Sequence, residues 1–253
     1  MMTNNDKKIQ LSVVIPAYNE AQNLGSGSLD EVFNYLKKQD YSYEVLIVDD
    51  GSKDNTAQLV EEIIKDKPGF RLVRNPHGGK ALTVISGMLK SQGEVVVFTD
   101  MDQSAPLNQI ERLFPKFEEG YDIVIGSRSG RQGAPFLRKI SAWGYSVIRT
   151  MVLGLPIKDT QCGFKAFNQE AIQVVFPKML QIWQSKKASG AAVNAGFDVE
   201  TLFLAKKAGF KITEEPVDWH HVGTQRVQLL KDSIEALKDI LRIKLNELRH
   251  AYD

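Results

Sequence analysis

Two aspartates, Asp100 and Asp102, come directly after the apolar run VVVF and are separated by a single residue. A loop can turn carboxylates at positions i and i+2 toward one point, and two hard oxygen ligands suit Mg²⁺ or Mn²⁺ carrying a diphosphate. Because a D-x-D pattern is short and common, two solvated loop carboxylates explain an isolated pair equally well. The pair is a candidate metal site if neighbouring residues can hold a nucleotide.

Polar residues also follow two earlier apolar runs. Tyr18 and Glu20 come just past Pro16, and the next run ends in Asp49 and Asp50. Their carboxylates can accept hydrogen bonds from a base N–H or a ribose hydroxyl, although a helix N-cap or a turn explains each of them equally well. The sequence therefore places candidate nucleotide ligands after more than one apolar run.

The two commonest phosphate-binding loops do not fit this sequence. Residues 24–30, LGSGSLD, have two glycines of the dinucleotide-binding fingerprint, but Asp30 stands at the third glycine position. Residues 74–81, RNPHGGKA, end like a P-loop, yet Arg74 replaces the first glycine and Ala81 replaces the metal-binding hydroxyl. A dehydrogenase with that fingerprint and a P-loop ATPase are both disfavoured.

These candidate residues need a fold that brings strand ends together. The pattern runs strand, helix, strand, helix, strand, helix, strand from LSVVIPAYNE to EVVVFTD, and the strand DIVIGSRSG follows a further helix. Short β-branched runs separated by helices of about ten residues predict parallel strands with right-handed crossovers. The predicted fold class is α/β, a Rossmann-like and mostly parallel sheet with helices on both faces. Ligands bind at the carboxyl ends of the strands in such sheets, which is where the aspartates lie.

Two later stretches have the apolar spacing of helices. In residues 136–155, one face carries Phe136, Ile140, Trp143, Val147 and Met151 beside the basic residues Arg138, Lys139 and Arg149. In residues 228–248, the repeated apolar positions are Leu230, Ile234, Leu237 and Leu241, which predicts a C-terminal amphipathic helix. Such apolar faces pack on a sheet or rest on a membrane surface, and the sequence is compatible with both.

Composition and charge limit the classes of function. The 253 residues are 43% hydrophobic and 25% charged, with a net charge of +1, so a globular core is predicted and no nucleic-acid partner is. The single cysteine, Cys162, cannot form an internal disulfide, and the first ten residues lack the apolar core of a signal peptide. We therefore predict a cytoplasmic protein, at most peripheral at the inner face of the membrane.

Together the motifs resemble a known family. VVIPAYNE, VDDGSKDNT, the D-x-D in FTDMDQSAP and IGSR resemble the nucleotide-sugar transferases of the GT-A fold in glycosyltransferase family 2. DTQCGFKAF, GFDVETLFLAKKAGF and EEPVDWHHVGTQRV resemble the dolichyl-phosphate glucose synthase branch of the polyprenyl-phosphate glycosyltransferases. The resemblance runs from about Leu11 to Val227. It implies a GT-A domain over residues 1–215, and an acceptor loop with the amphipathic helix over residues 216–253, within one structural unit.

The resemblance also implies an activity and a set of ligands. The family transfers one sugar from a nucleotide donor to the phosphate of a polyprenol, with inversion and with Mg²⁺ or Mn²⁺. This branch implies UDP-glucose as donor and dolichyl or undecaprenyl phosphate as acceptor. Asp100 and Asp102 correspond to the metal ligands. The residues that correspond to the nucleotide site are Pro16, Tyr18, Glu20, Asp49, Asp50, Lys80 and Asp100.

Cations are predicted on the acceptor side. A lipid monophosphate has its second pKa at about 6, so its attacking oxygen is mostly ionised at neutral pH and needs a cationic site more than a base. Arg128, Arg138 and Arg226 are the candidates, because a guanidinium binds phosphate through two hydrogen bonds, although exposed arginines that only solvate the surface fit the sequence as well. We predict that Asp159, in the DTQCGF loop, supports the acceptor or the metal.

Asp198 and Glu200 begin a helical pattern and, together with Arg128, are candidate catalytic residues. They can cap the helix, act as a base or bind sugar hydroxyls. A family 2 enzyme that glycosylates a hydroxyl of a growing glycan would need one of them as its base. The sequence is also compatible with a GDP-mannose-dependent polyprenyl-phosphate mannosyltransferase and with a nucleotide-sugar-binding regulatory module without turnover. The arginines favour a phosphate acceptor, and the intact D-x-D favours turnover.

Overall fold

The computed structural model describes residues 8–128, 136–184, 195–220 and 229–252 of the chain. Within the helices that begin at residues 136, 195 and 229, side chains are described from residues 143, 196 and 234 onward. Arg226 lies outside the described residues, and so does the side chain of Arg138. The predictions made for these two arginines stay predictions.

The described residues form a single seven-stranded sheet in the order β3-β2-β1-β4-β6-β5-β7. The strands are β1 (Leu11–Ala17), β2 (Tyr43–Asp49), β3 (Phe70–Arg74), β4 (Val95–Phe98), β5 (Ile123–Ser127), β6 (Lys165–Asn168) and β7 (Ile212–Pro216). Strand β6 runs antiparallel between β4 and β5, and the other pairings are parallel. The predicted α/β fold with a mostly parallel sheet is confirmed.

Helices follow most of the strands. They are α1 (Ala21–Leu24), α2 (Ser28–Leu36), α3 (Thr56–Ile64), α4 (Lys80–Lys90), α5 (Ile110–Glu118), α6 (Phe136–Leu153), α7 (Gln169–Trp183), α8 (Ala195–Lys207) and α9 (Leu229–Leu248), with a short 3₁₀ helix at Leu107–Gln109. Helix α4 packs against β1 and β2, α3 packs against β2 and β3, and α5 packs against β5 and β7. The strands β1 and β2 are buried along nearly their whole length, which requires cover on both faces because successive side chains alternate between them.

Strands β6 and β7 were not predicted from the sequence. Their sequences, KAFN and ITEEP, are short and carry charged residues, so neither shows the alternating or continuous apolar pattern of a buried strand. Strand β6 is nonetheless central, because it separates the parallel strands β4 and β5. It pairs with both of them, along its whole length from Lys165 to Asn168 in the case of β4.

The helix predicted over residues 136–155 is present as α6, but one expectation about it was wrong. Trp143 and Met151 are exposed by 70% and 81%, whereas Arg149, expected among the surface basic residues, is 1% exposed. Its guanidinium donates to the hydroxyls of Ser146 and Thr160 and to the carbonyl of Ile157. Arg149 is therefore a buried tie between α6 and the following loop.

The C-terminal helix is present as α9, but its buried face is not the predicted apolar row. Ala236, Ile240 and Ile243 are buried, whereas Ile234 and Leu241 are more than half exposed. Helix α9 packs against α6 and α8 through that buried side. Among the described residues, no helix combines the length and the apolar character needed to cross a membrane.

Candidate active site

The site lies at the carboxyl ends of β1, β2 and β4. These strands are adjacent and parallel, with Ala17 opposite Asp49 and Val14 opposite Phe98. The polar residues that follow them therefore leave the sheet at one edge, as predicted. Pro16 lies one step earlier, inside β1, where it is opposite Val48.

Asp100 pairs with Lys80, the first residue of α4. The Lys80 Nζ lies 2.5 Å from Oδ1 of Asp100, and each side chain is 36% exposed. Burial lowers the pKa of Lys80, but the charges of Asp100, Asp198 and Asp102 and the Asp100 hydrogen bond together raise it above its ordinary value. Lys80 is thus a fixed cation at the end of β4, and the structure brings it together with Asp100.

The loop after β4 turns Asp102 back toward the same edge. Gln103 has a positive φ of 49°, and its side chain donates to the carbonyl of Asp100. Asp102 accepts a hydrogen bond of 2.9 Å from the backbone N–H of Ser104 and stays partly exposed. The side chain of Glu20 lies near both aspartates, and burial, followed by the charges of Asp102 and Asp100, raises its pKa. The three carboxylates form an electronegative patch.

This patch suits a divalent cation shared with a ligand. The described residues contain no group of three or more His, Cys, Asp or Glu side chains that could hold a metal ion by themselves. Mg²⁺ is commonly held by one or two carboxylates together with substrate phosphates and water, instead of an all-protein cage. Asp100 and Asp102 supply that number of hard oxygen ligands, so the residues present fit a Mg²⁺ or Mn²⁺ ion that a diphosphate helps to bind.

Asp49 and Asp50 are buried and engaged by the protein itself. Asp50 accepts hydrogen bonds from the backbone N–H groups of Gly78 and Gly79 at 2.7 and 2.9 Å, and Nδ1 of His77 lies 2.9 Å from Oδ2. Asp49 accepts from the N–H of Ser52. Asp50 therefore holds the loop that leads into α4. A direct contact of Asp50 with a nucleotide does not fit these hydrogen bonds.

Tyr18 stacks on His77, a residue that was not predicted to belong to the site. The two ring centroids lie 4.5 Å apart with an interplanar angle of 22°. Both rings are partly exposed beside the strand ends, so they offer a flat surface to a base or a sugar. The sequence feature that could have indicated His77 is its place in the RNPHGGKA segment, which does not fit a P-loop. There an aromatic residue stands directly before two glycines, next to flexible backbone.

Arg128 and Asp159 form a pair on the far side of the antiparallel strand. Nε and Nη2 of Arg128 each lie 2.7 Å from an oxygen of Asp159, and the Arg128 N–H donates to the same carboxylate. The backbone N–H of Asp159 in turn donates to Glu214 of β7. Although burial opposes it, the guanidinium holds the pKa of Asp159 below its ordinary value. Asp159 thus orients the cation that was predicted to bind phosphate.

Asp198 lies in the first turn of α8 and is partly exposed. Its Oδ1 accepts a hydrogen bond of 2.5 Å from Nζ of Lys165. The charge of Asp198 acts on both Lys80 and Arg128, so it lies near both cations of the site. The structure therefore brings Asp198 to the same edge as Lys80 and Arg128, and its catalytic role stays a prediction.

Glu200 lies elsewhere, which corrects its predicted catalytic role. The residue is fully buried among α7, α8 and the C-terminal segment. One carboxylate oxygen accepts from Nε1 of Trp183 at 3.0 Å and the other accepts from the hydroxyl of Tyr252 at 2.7 Å. Residues two apart on a helix point about 200° around its axis from each other, so Glu200 points away from the side that carries Asp198. Cys162 is a free, buried thiol.

Known proteins resemble this chain over most of its length. Residues 12–176 match the sequence profile of the family described as glycosyl transferase family 2. A dolichyl-phosphate beta-glucosyltransferase of Dictyostelium discoideum is 35% identical over 95% of this chain and 75% of its own length. One of Saccharomyces cerevisiae is 32% identical over 98% of this chain and 78% of its own.

Solved structures share the fold at lower identity. A mannosyltransferase from Pyrobaculum calidifontis, solved with GDP-Man and Mn²⁺, superposes with a TM-score of 0.63 at 21% identity, over 96% of this chain and 65% of its own. A glucosyl-3-phosphoglycerate synthase from Mycobacterium tuberculosis, solved with Mn²⁺, UDP-glucose and phosphoglyceric acid, gives 0.63 at 18% identity, over 93% and 80%. These similarities confirm the GT-A fold. With a family match over most of its length, the chain belongs to glycosyl transferase family 2 and is a glycosyltransferase.

Proposed function

We propose that this protein transfers glucose from UDP-glucose to the phosphate of a polyprenol, with inversion at the anomeric carbon. The observation that carries the proposal is a pair of cations at the carboxyl edge of the sheet: Lys80, which pairs with Asp100, and Arg128, which pairs with Asp159. The acceptor phosphate attacks the anomeric carbon while the donor diphosphate leaves it. Both anions must therefore be bound close together, which needs a cation for each of them. The relatives named dolichyl-phosphate beta-glucosyltransferase support the choice of sugar and acceptor.

The donor diphosphate is proposed to lie over Asp100, Asp102 and Lys80. Breaking the bond between the anomeric carbon and oxygen builds negative charge on the departing diphosphate. Asp100 and Asp102 would hold a Mg²⁺ or Mn²⁺ ion, which would supply Lewis-acid stabilisation of that charge worth several kcal/mol. Lys80 adds a fixed ammonium that remains charged because of its carboxylate neighbours. The stacked Tyr18 and His77 rings lie beside this region and are proposed to contact the nucleoside.

The acceptor phosphate is proposed to bind at Arg128. Its Nε and Nη2 are committed to Asp159, so the guanidinium is held in one orientation. Preorganised charge stabilises developing charge without reorganisation at the moment of reaction. Because the phosphate oxygen is mostly ionised at neutral pH, the attack needs no general base, which agrees with the burial of Glu200. Arg138 and Arg226 remain proposed as further acceptor ligands.

An acceptor assay tests this proposal. The purified protein with Mn²⁺ is incubated with radiolabelled UDP-glucose and polyprenyl phosphate, and label is followed into the organic phase. Parallel reactions contain GDP-mannose as donor or an oligosaccharide as acceptor. We expect organic-phase product from UDP-glucose and polyprenyl phosphate alone. Product from GDP-mannose in its place would support the mannosyltransferase, and label on the oligosaccharide would support the hydroxyl-acceptor enzyme.

A membrane surface is proposed as the place where the lipid acceptor is met. On α9, Ile234, Lys238, Leu241, Leu245 and Leu248 follow one another at helical spacing, and all five are exposed. Helix α6, which packs against α9, exposes Trp143, Ile148 and Met151. Apolar side chains with an interspersed lysine suit the headgroup region of an anionic bilayer.

Liposome flotation tests the membrane proposal with variants chosen by exposure. The double variant Trp143→Glu, Met151→Glu is compared with Val174→Glu, Leu180→Glu, because the latter pair on α7 is also exposed and apolar. We expect the wild type and the α7 variant to float with anionic liposomes at low salt, and the α6 variant to stay in the soluble fraction. Equal behaviour of the two variants would contradict a membrane-facing role for α6.

A further inference from the structure

A buried lysine lies beneath the candidate site and has no role in the scheme above. Lys165, the first residue of β6, is 1% exposed. Its Nζ lies 2.5 Å from Oδ1 of Asp198 and 2.5 Å from the carbonyl oxygen of Cys162, and 5.1 Å from the ring centroid of Phe98. Removing an ammonium from water costs several kcal/mol, so a lysine in this position requires such compensating contacts.

The place of Lys165 in the sheet connects it with the metal-binding loop. The antiparallel strand β6 puts Lys165 opposite Phe98, two residues before Asp100, and opposite Ile125 of β5. It therefore lies where β4 and β5 both end, between the Lys80–Asp100 pair and the Arg128–Asp159 pair. Through its contact with Asp198, Lys165 also joins β6 to the first turn of α8.

The carboxylate of Asp198 is fixed at one oxygen and available at the other. Oδ1 is taken by Lys165, and Oδ2 has no hydrogen-bond partner among the described residues. Within the described parts of the chain, the charged or titratable groups that act on or respond to Asp198 are Lys165 from β6, Lys80 from α4, Arg128 after β5 and Tyr145 from α6. Asp198 thus has one oxygen available for a ligand, at the edge where both cations lie.

We propose that Lys165 is a positioning residue, which holds Asp198 so that its free oxygen accepts a hydrogen bond from a hydroxyl of the sugar being transferred. This inference rests on the proposed function. A fixed anion repels the diphosphate and the acceptor phosphate, so the neutral sugar is the part of the substrates that it can bind. The sugar also lies between its leaving and attacking phosphates, as Lys165, the partner of Asp198, lies between the Lys80–Asp100 pair and the Arg128–Asp159 pair.

A double-mutant cycle tests the inference. Lys165→Met, Asp198→Asn and the double variant are compared for kcat/KM, and for the binding of UDP-glucose and of UDP with Mn²⁺ by calorimetry. Misplacing a binding group by about 1 Å lowers rates by about 100-fold, so we expect each single variant to lose about 10- to 100-fold in kcat/KM. UDP-glucose should bind more weakly while UDP binds as in wild type. The double variant should be no worse than Asp198→Asn by more than about twofold.

Arg71→Met is the matched control. Arg71 also pairs with a buried carboxylate, Glu44, which lies at the opposite edge of the sheet where β1 and β2 begin. Its removal should lower thermal stability, leave UDP-glucose binding unchanged, and add independently to the effect of Asp198→Asn. If Lys165→Met does not fold, Lys165→Gln replaces it in the cycle, because the glutamine amide can still donate to the carbonyl of Cys162.

The outcomes separate this inference from the proposed function. If Lys165→Met lowers kcat/KM or UDP-glucose binding in the Asp198→Asn background as much as in wild type, Lys165 does not act through Asp198 and the inference is wrong. It is also wrong if UDP binding falls as much as UDP-glucose binding. Should the wild type bind UDP-glucose but fail to glucosylate polyprenyl phosphate, the proposed acceptor fails, and the cycle is still decided by the two binding constants.

Discussion

The carboxylate of Asp100 rests against Gly163, a residue of the loop before β6. A Cβ atom built on Gly163 would lie 2.9 Å from Cγ of Asp100 and closer still to Oδ2, whereas ordinary contacts span 3.4–4 Å. The obstacle is the end of a side chain, so the backbone does not have to move. We therefore expect Gly163→Ala to fold with a melting temperature close to that of wild type, and with the Asp100 carboxylate displaced.

Displacement of the Asp100 carboxylate should lower the rate of sugar transfer. A shift of about 1 Å in a catalytic group can cost about 100-fold in rate. We expect kcat/KM for UDP-glucose to fall by about 10- to 100-fold, with a higher Mn²⁺ concentration needed for half-maximal activity. The assay is glucosyl transfer to polyprenyl phosphate over a Mn²⁺ titration, with circular dichroism melting as the test of folding.

Gly144→Ala is the control for the added methyl group. A Cβ at Gly144, in the middle of α6, meets nothing within 4 Å. This variant should keep full activity and gain up to about 1 kcal/mol of helix stability. If Gly163→Ala shows wild-type kcat/KM and an unchanged Mn²⁺ titration, the position of Asp100 does not matter for metal and donor binding, and the reasoning is refuted.

Three further predictions concern other parts of the site and its supports. Asp102→Asn should abolish metal-dependent transfer without lowering the melting temperature, and retained activity in this variant would remove Asp102 from the metal site. Asp159→Asn should lose about 1–3 kcal/mol of stability at pH 7. A carboxylate whose pKa is lowered in the folded protein stabilises the fold at pH values above its ordinary pKa of about 4. That loss should disappear as the pH falls through the lowered pKa in acid unfolding experiments, and a pH-independent loss would contradict the pairing with Arg128. Tyr252→Phe should remove the hydroxyl that donates to Glu200. The melting temperature should fall by about 2–4 °C for each kcal/mol of stability lost, with kcat/KM unchanged. A fall in kcat/KM without a change in melting temperature would restore a catalytic role for Glu200.

The positions of the residues at the strand ends could be predicted because they depend on local sequence. Each apolar run predicts a strand, and the polar residues after it must lie at the carboxyl edge when the strands are parallel. In the structure Asp100 and Glu20 lie near each other at that edge, beside Lys80, whose role came from the family resemblance. The α/β order of the first half follows from the same local patterns.

The remaining features depend on contacts between distant segments. Strand β6 looks polar because Lys165 pairs with Asp198 from α8, 33 residues away in the chain. Arg149 looks like a surface cation because its carbonyl and hydroxyl partners are fixed only by the following loop. Asp198 and Glu200 look equivalent in sequence, and only the packing of α7 and the C-terminal segment around Glu200 separates them.

The central claim is that one glucose moves, with inversion, onto a phosphate. Nuclear magnetic resonance of the purified lipid product from UDP-glucose and polyprenyl phosphate tests it most directly, through the proton coupling at the anomeric carbon and the phosphorus coupling to it. We predict a single glucosyl unit in the β configuration, bonded to the polyprenyl phosphate. An α-linked product, or glucose found on a hydroxyl instead of the phosphate, would contradict the mechanism.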